Sequence, residues 1–327
     1  QSRSPMSYIE LHAASAFSFL QGTSLPESLV DRAAELGYGA IALLDRDGIY
    51  GMPRFHKAAR AAGIRPIVGA ELTIEGRSGR DGQDGRAGQP FLLPLLCESA
   101  EGYRNLCRLI TRLKLASPKG EGALPLAALD GMTSGLVALV GRPALDARRY
   151  GVGGLLDRVV GLFGRERTFV ELQRHFRRDE ESDNQALAAM AGAFRVPLLA
   201  TNGVRLATPA ERPLFDVLTC IHHHTDLARA GRRLAPNAER YLKSSAQMSA
   251  LFPDHPEALA NTIALSERLQ FTMADLGYRF PDYPVPAGET TNRWLRPGKT
   301  RTVTSRLPPA RMAADRKSTR LNSSHRT

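Results

Sequence analysis

Short apolar runs alternate with stretches of helical periodicity through most of the chain. Seven runs read as strands: Tyr8–Leu11, Ala40–Leu44, Pro66–Ile74, Phe91–Leu96, Leu136–Val140, Thr168–Leu172 and Val196–Ala200. Between them, apolar residues recur every three to four positions in Glu27–Leu36, Met52–Ala62, Glu101–Leu115, Leu155–Phe163 and Glu180–Phe194, the spacing of an amphipathic helix. Ser24-Leu25-Pro26-Glu27 has the form of a capping box with proline in the first turn. Strands alternating with helices, with no evident hairpin, predict an α/β fold, either a wound parallel sheet or a β/α barrel. Beyond Leu206 the pattern turns helical at Pro209–Thr219, Ser245–Leu251 and Pro256–Leu269, predicting a cap or extension packed on the barrel. Phe280–Pro286 reads as a proline-rich connector, and Gly76–Pro90, with glycine at every third place, as a surface loop between two strands.

Composition changes this picture little. With 43% hydrophobic and 24% charged residues, the 327-residue chain suits a protein with a buried core. It holds no apolar run long enough for a membrane span and no secretory signal, so a cytoplasmic location without a membrane partner is the expectation. Cys97, Cys107 and Cys220 are too few and too scattered for a disulfide framework or a zinc ribbon. The net charge of +11 would suggest nucleic acid, but eight Lys or Arg and one acid after Pro297 supply +7 of it. Asp315–His325 reads like a translated sequencing adapter, so residues 297–327 are set aside as a non-native, disordered tail. Met6 is the expected native start.

Chemistry is expected where parallel β/α proteins place it, at the carboxyl ends of strands. His12, Asp45, Glu71 and His175 each follow a predicted strand closely. Such side chains, gathered from separate strands, could hold ions that activate water against a phosphoester. Taken singly, each is better explained as a polar residue bonding nearby backbone; four at the same end of successive strands bring the two readings level. His222-His223-His224 cannot turn three imidazoles to one ion from a regular element and reads as a solvated loop. No phosphate-cradling glycine motif, nucleophile elbow or Cys–His pair is present.

The ordered motifs ELHAASAFSFLQG, ALLDRDGIYG, RPIVGAEL, ESAEGYRNLCRLIT, VELQRH, LATNGVRL, LKSSAQMSALFPDHPEALANT and FPDYPVP resemble the amino-terminal part of C-family bacterial DNA polymerases. This is the polymerase III alpha-subunit family, and the opening segment and GRRLAPNAERYLKS are most similar to its error-prone, translesion branch. The resemblance spans about Met6–Arg296. It implies a polymerase-and-histidinol-phosphatase (PHP) domain over residues 6–208 and a helical extension over 209–285. Residues 286–296 would begin the connection to a polymerase domain. The implied fold is a distorted seven-stranded β/α barrel, matching the strand count.

Metal-bound members of that family carry H-x-H first, an Asp-His pair second, and T-N-D-V-H after the seventh strand. Here Ala14 follows His12, Arg46 follows Asp45, and Gly203 and Arg205 stand in the last motif, while Glu71 and His175 match. Ala14 and Gly203 offer no ligand atom, and arginines repel a cation. The expectation is a vestigial site whose metal is absent or incomplete, with Arg46 and Arg205 pairing with Asp45 and Glu71. The resemblance also implies Mg²⁺, deoxynucleotide triphosphates and primer-template DNA for the full-length polymerase, whose catalytic carboxylates lie beyond this chain. Accessory proteins and a sliding clamp would be partners. Three readings stay open: an inert barrel within an error-prone polymerase, an active metal-dependent phosphoesterase (a proofreading nuclease or phosphatase), and a scaffold contacting DNA or proteins.

Overall fold

The computed structural model describes residues 8–76, 88–118, 122–145 and 154–276, all within one compact unit. Most of the glycine-rich loop, the proline-rich connector, the segment 286–296 and the basic tail lie outside the described residues.

Six strands form one sheet in chain order: β1 Ala40–Arg46, β2 Arg65–Gly76, β3 Gly88–Cys97, β4 Leu136–Val140, β5 Thr168–Leu172 and β6 Leu198–Ala200. β1 and β2 run parallel, as do β4, β5 and β6, but β3 is antiparallel to both β2 and β4. The sheet is therefore mixed, against the expectation of purely parallel winding. The glycine-rich segment joins β2 to β3, and its length hid the hairpin connection, since short hairpins announce themselves by two-residue turns.

The predicted first strand forms no ladder. Isolated bridges fall just past it instead: Ala13 pairs in parallel with Leu43 on one side and Val204 on the other. Val204 N–H donates to the His12 carbonyl, Leu44 N–H to that of Ala13 and Ala42 N–H to that of Glu10. The segment thus lies between edge strand β1 and the chain just past β6. A longer ladder is interrupted by Glu10, whose carboxylate accepts the amides of His12 (2.9 Å) and Asn202 (3.0 Å).

Alternation along the strands separates two cores. Ile41, Leu43, Val68, Ala138 and Val170 face the outer helices: α1 Pro26–Glu35, α2 Met52–Ala61, α3 Ala100–Ala116, α4 Gly154–Phe163 and α5 Glu180–Phe194. Leu44, Ile67, Leu139, Phe169 and Leu199 face inward and meet Leu265 and Leu269. Those two come from the last and longest of four later helices, α6 Arg212–His222, α7 Leu227–Ala230, α8 Ser245–Leu251 and α9 Pro256–Arg268 with its C-cap Leu269. α9 therefore contributes to the inner core of the sheet. Among the described residues no helix is long and apolar enough to cross a membrane.

The expected capping box at Ser24 does not form. Leu25 is the N-cap of α1, and the Ser24 hydroxyl donates to Glu211 (2.6 Å) while accepting the Ala207 amide (2.6 Å). A tertiary use of the hydroxyl has displaced the local one.

Candidate functional site

The inward rows of β2 and β5, and the residue just past β6, turn polar near one end of the sheet. On β2 the sequence Ile67, Gly69, Glu71 keeps one face, as do Phe169 and Glu171 on β5, and Thr201 just beyond Leu199. His12 enters from the opening segment and bridges the two carboxylates. Its Nε2 lies 2.6 Å from Glu71 Oε1 and its Nδ1 2.6 Å from Glu171 Oε1. Only a protonated imidazole donates from both nitrogens. All three side chains are buried, with relative exposures of 6% or less.

Arg205 completes the cluster. Its Nη2 is 2.7 Å from both oxygens of Glu71. Thr201 Oγ1 donates to Glu171 at 2.5 Å, and Gln173 Nε2 donates to Thr201 at 3.2 Å. Two carboxylates are thus matched by an imidazolium and a guanidinium, the condition under which buried charge is tolerated. Burial works against the charged form of His12, but Glu171 and Glu71 overcome it and push its pKa up to about 9. Burial would raise Glu71, yet Arg205 and His12 hold it far below the usual carboxylate range. Glu171, equally buried, is held down by His12 and Thr201.

The remaining predicted residues divide. Asp45 lies on the opposite face of β1 from Leu44 and Arg46. It accepts from the Ser15 amide (2.8 Å), the Ser15 hydroxyl (2.9 Å) and the Ser18 hydroxyl (3.0 Å). Burial raises its pKa despite those bonds. Arg46 does not pair with Asp45, contrary to expectation. It bonds Thr73 Oγ1 (3.2 Å) and approaches Asp47 (3.5 Å), because consecutive strand residues point to opposite faces. His175 also stands apart, its Nε2 on the Asn202 carbonyl (2.9 Å) and its Nδ1 3.5 Å from Glu180. Ala14 is fully buried and its amide donates to the Val204 carbonyl. Gly203 adopts φ +53°, and a Cβ there would meet Gln173 Nε2 at 2.6 Å and Arg240 Nη2 at 2.7 Å.

Glu171, Thr201, Gln173, Glu10 and Arg240 were missed by motif reasoning. The alternation Phe169–Glu171 on a strand with an inward apolar row was the available signal for Glu171. Arg240 Nε donates to the Gly203 carbonyl at 2.7 Å, so it and Gln173 occupy the space that a side chain at 203 would need.

In this arrangement the donor set does not fit a divalent ion. Both nitrogens of His12 point to carboxylates, Glu71 is wrapped by a guanidinium, and no group of three His, Cys, Asp or Glu among the described residues is disposed to hold a metal. A ligating imidazole must keep a lone pair for the ion.

Comparison with protein families places a PHP domain on residues 10–175, which is half of the chain. The chain belongs to the PHP-domain family. Curated relatives of this PHP chain include the error-prone DNA polymerase of Anaeromyxobacter dehalogenans strain 2CP-C, 39% identical over 287 residues, 85% of this chain and 24% of that protein. The error-prone DNA polymerase of Mycolicibacterium paratuberculosis is 38% identical over 309 residues, covering 90% and 27%. The chain therefore spans about a quarter of the length of these relatives. Among solved structures, an amidohydrolase from Chromobacterium violaceum matches 61% of this chain and 88% of its own, at 16% identity and a TM-score of 0.43.

Proposed function

We propose that this PHP chain is the amino-terminal part of an error-prone DNA polymerase and that its strand-end cluster serves as an ion-paired structural core in place of a metal centre. The observation that carries this reading is His12 clamped between Glu71 and Glu171 while Arg205 covers Glu71. The side chains that would meet a cation meet each other. On this reading the opening segment acts as the seventh strand of a distorted barrel, and the later helices extend that barrel. The barrel is a rigid scaffold for the rest of the polymerase.

DNA-templated nucleotidyl transfer, translesion synthesis in repair, Mg²⁺, deoxynucleotide triphosphates and any clamp or accessory contact belong to the longer cytoplasmic protein, in keeping with the relatives' lengths. Nucleotidyl transfer needs carboxylates holding paired metal ions, and the cluster here spends its carboxylates on His12 and Arg205. The purified chain, dialysed after exposure to Zn²⁺ and to Mn²⁺, is expected to retain less than stoichiometric metal and to leave phosphoesters uncleaved. Stoichiometric metal together with phosphoesterase activity that His12→Ala abolishes would establish a metallo-phosphoesterase instead.

A further inference from the structure

Arg205 has a second role that its pairing with Glu71 leaves open. With Arg46 and Arg240 it lines an open cavity of about 320 Å³, bordered on another side by Thr219, His222 and His223 from the end of α6. None of the residues lining this cavity is acidic. The three guanidinium groups reach it from separate parts of the chain: the end of β1, the segment after β6 and the stretch before α8.

Their fixing is unequal in a telling way. Arg205 is 5% exposed, and Nη2 is held by Glu71 while Nη1 is buried without a hydrogen-bond partner. Arg240 is anchored by Nε on the Gly203 carbonyl, and it forms no ion pair among the described residues. Burial above all, and then the neighbouring Arg205, pull Arg240 down to about 10 against the opposing pull of Glu71, Glu171 and Glu10, so a buried guanidinium here gains from a further anionic partner. A buried donor left unmade costs free energy, and preset arginine forks match the oxygens of a phosphate.

We propose that this cavity binds a phosphate group, held by Arg46, Arg205 and Arg240 without a metal. The strand ends would then present an anion site above the ion-paired cluster. The phosphate can come from the free ion or from a nucleic-acid backbone, and its chemistry at the arginines is the same. The inference goes beyond the structural role of the cluster and is tested separately, because phosphate binding is measured with chelator present.

The test is titration of the full chain with inorganic phosphate in EDTA, followed by calorimetry and by ³¹P NMR. One site is expected. Arg240→Gln and Arg46→Gln should each weaken binding by about tenfold or more, the scale of a lost charge-assisted hydrogen bond. Arg178→Gln, outside this cavity, should bind as the parent does. Arg46, with a side chain 34% exposed, keeps the test decisive should Arg240→Gln fail to fold. A short single-stranded oligonucleotide that displaces phosphate identifies the backbone as its source; one that does not identifies the free ion. Absence of phosphate binding by the parent chain, or equal binding by folded Arg46→Gln and the parent, would overturn the proposal. Metal retention in the dialysis experiment would overturn the structural reading of the cluster and leave this result standing.

Discussion

His12 carries a proton between two buried carboxylates, and its removal would leave both partly unpaired. His12→Ala is therefore expected to lower stability by about 3–5 kcal/mol, the usual cost of breaking a buried pair from one side, measured by urea unfolding. The pH dependence follows from the same contacts. The folded-state pKa of His12 lies near 9 against an ordinary 6.5, so its contribution is complete below pH 6.5 and disappears as pH rises through 9. Glu71 and Glu171 are depressed, so their contribution is present above the ordinary carboxylate range and fades as pH falls below it. The parent's stability should drop more than that of His12→Ala between pH 6.5 and 9.5; parallel curves would remove the imidazolium from the account. At this scale the sequence named His12, Glu71 and Arg205, which the structure brings together, but also Asp45 and His175, which it sets apart, and it gave Arg46 the wrong partner. Position after a strand says that a side chain is near the end of the sheet, but parity along the strand decides which face it takes. Arg46 and Asp45 are neighbours and so diverge. Glu171 was hidden inside an apolar strand, where a carboxylate has no local signature and is recognised only by what faces it.

Elements were more legible than their partners. Five of the seven runs expected as strands lie within strands of the sheet at close to their predicted bounds, because continuous β-rich apolar runs are buried on both faces. The sixth, Val196–Ala200, shortened to β6, and Tyr8–Leu11 formed no ladder, because the Glu10 carboxylate takes amides of His12 and Asn202 that a ladder needs. The reversal at β3 was invisible because no tight turn marks it. The role of α9 was invisible too, since helical periodicity identifies an apolar face but not the surface it meets. Leu265 is 1% exposed within the inner core, so Leu265→Ala is expected to cost about 2–5 kcal/mol and to shift a single cooperative urea transition. A separate early transition in the variant would make α9 an appendage. At the N-terminus of α3, a Cβ on Gly102 would fall 1.8 Å from the Gly135 carbonyl oxygen. Gly102→Ala should cost about 3 kcal/mol, high in the range for overpacking, and an unchanged melting temperature would show that this helix is free to shift.

For the whole molecule, charge and function part company. Most of the +11 lies after Pro297, whereas the arginines of the cavity are few, fixed and inside the folded unit. A chain ending at Arg296 should therefore lose most salt-sensitive, sequence-independent DNA binding, with a shallower slope of log K against log salt, while keeping its phosphate site. The curated relatives are polymerases about three and a half times as long, and the structural claim made for this part of them is that charge pairing has taken the place of a cation. That claim is read most directly at the His12 ring itself, by ¹⁵N NMR of the full chain at pH 8 with and without Zn²⁺. The account predicts two protonated ring nitrogens whose shifts Zn²⁺ leaves unchanged. A His12 ring that is neutral at that pH, with one nitrogen moving to a metal-bound shift as Zn²⁺ is added, would contradict it.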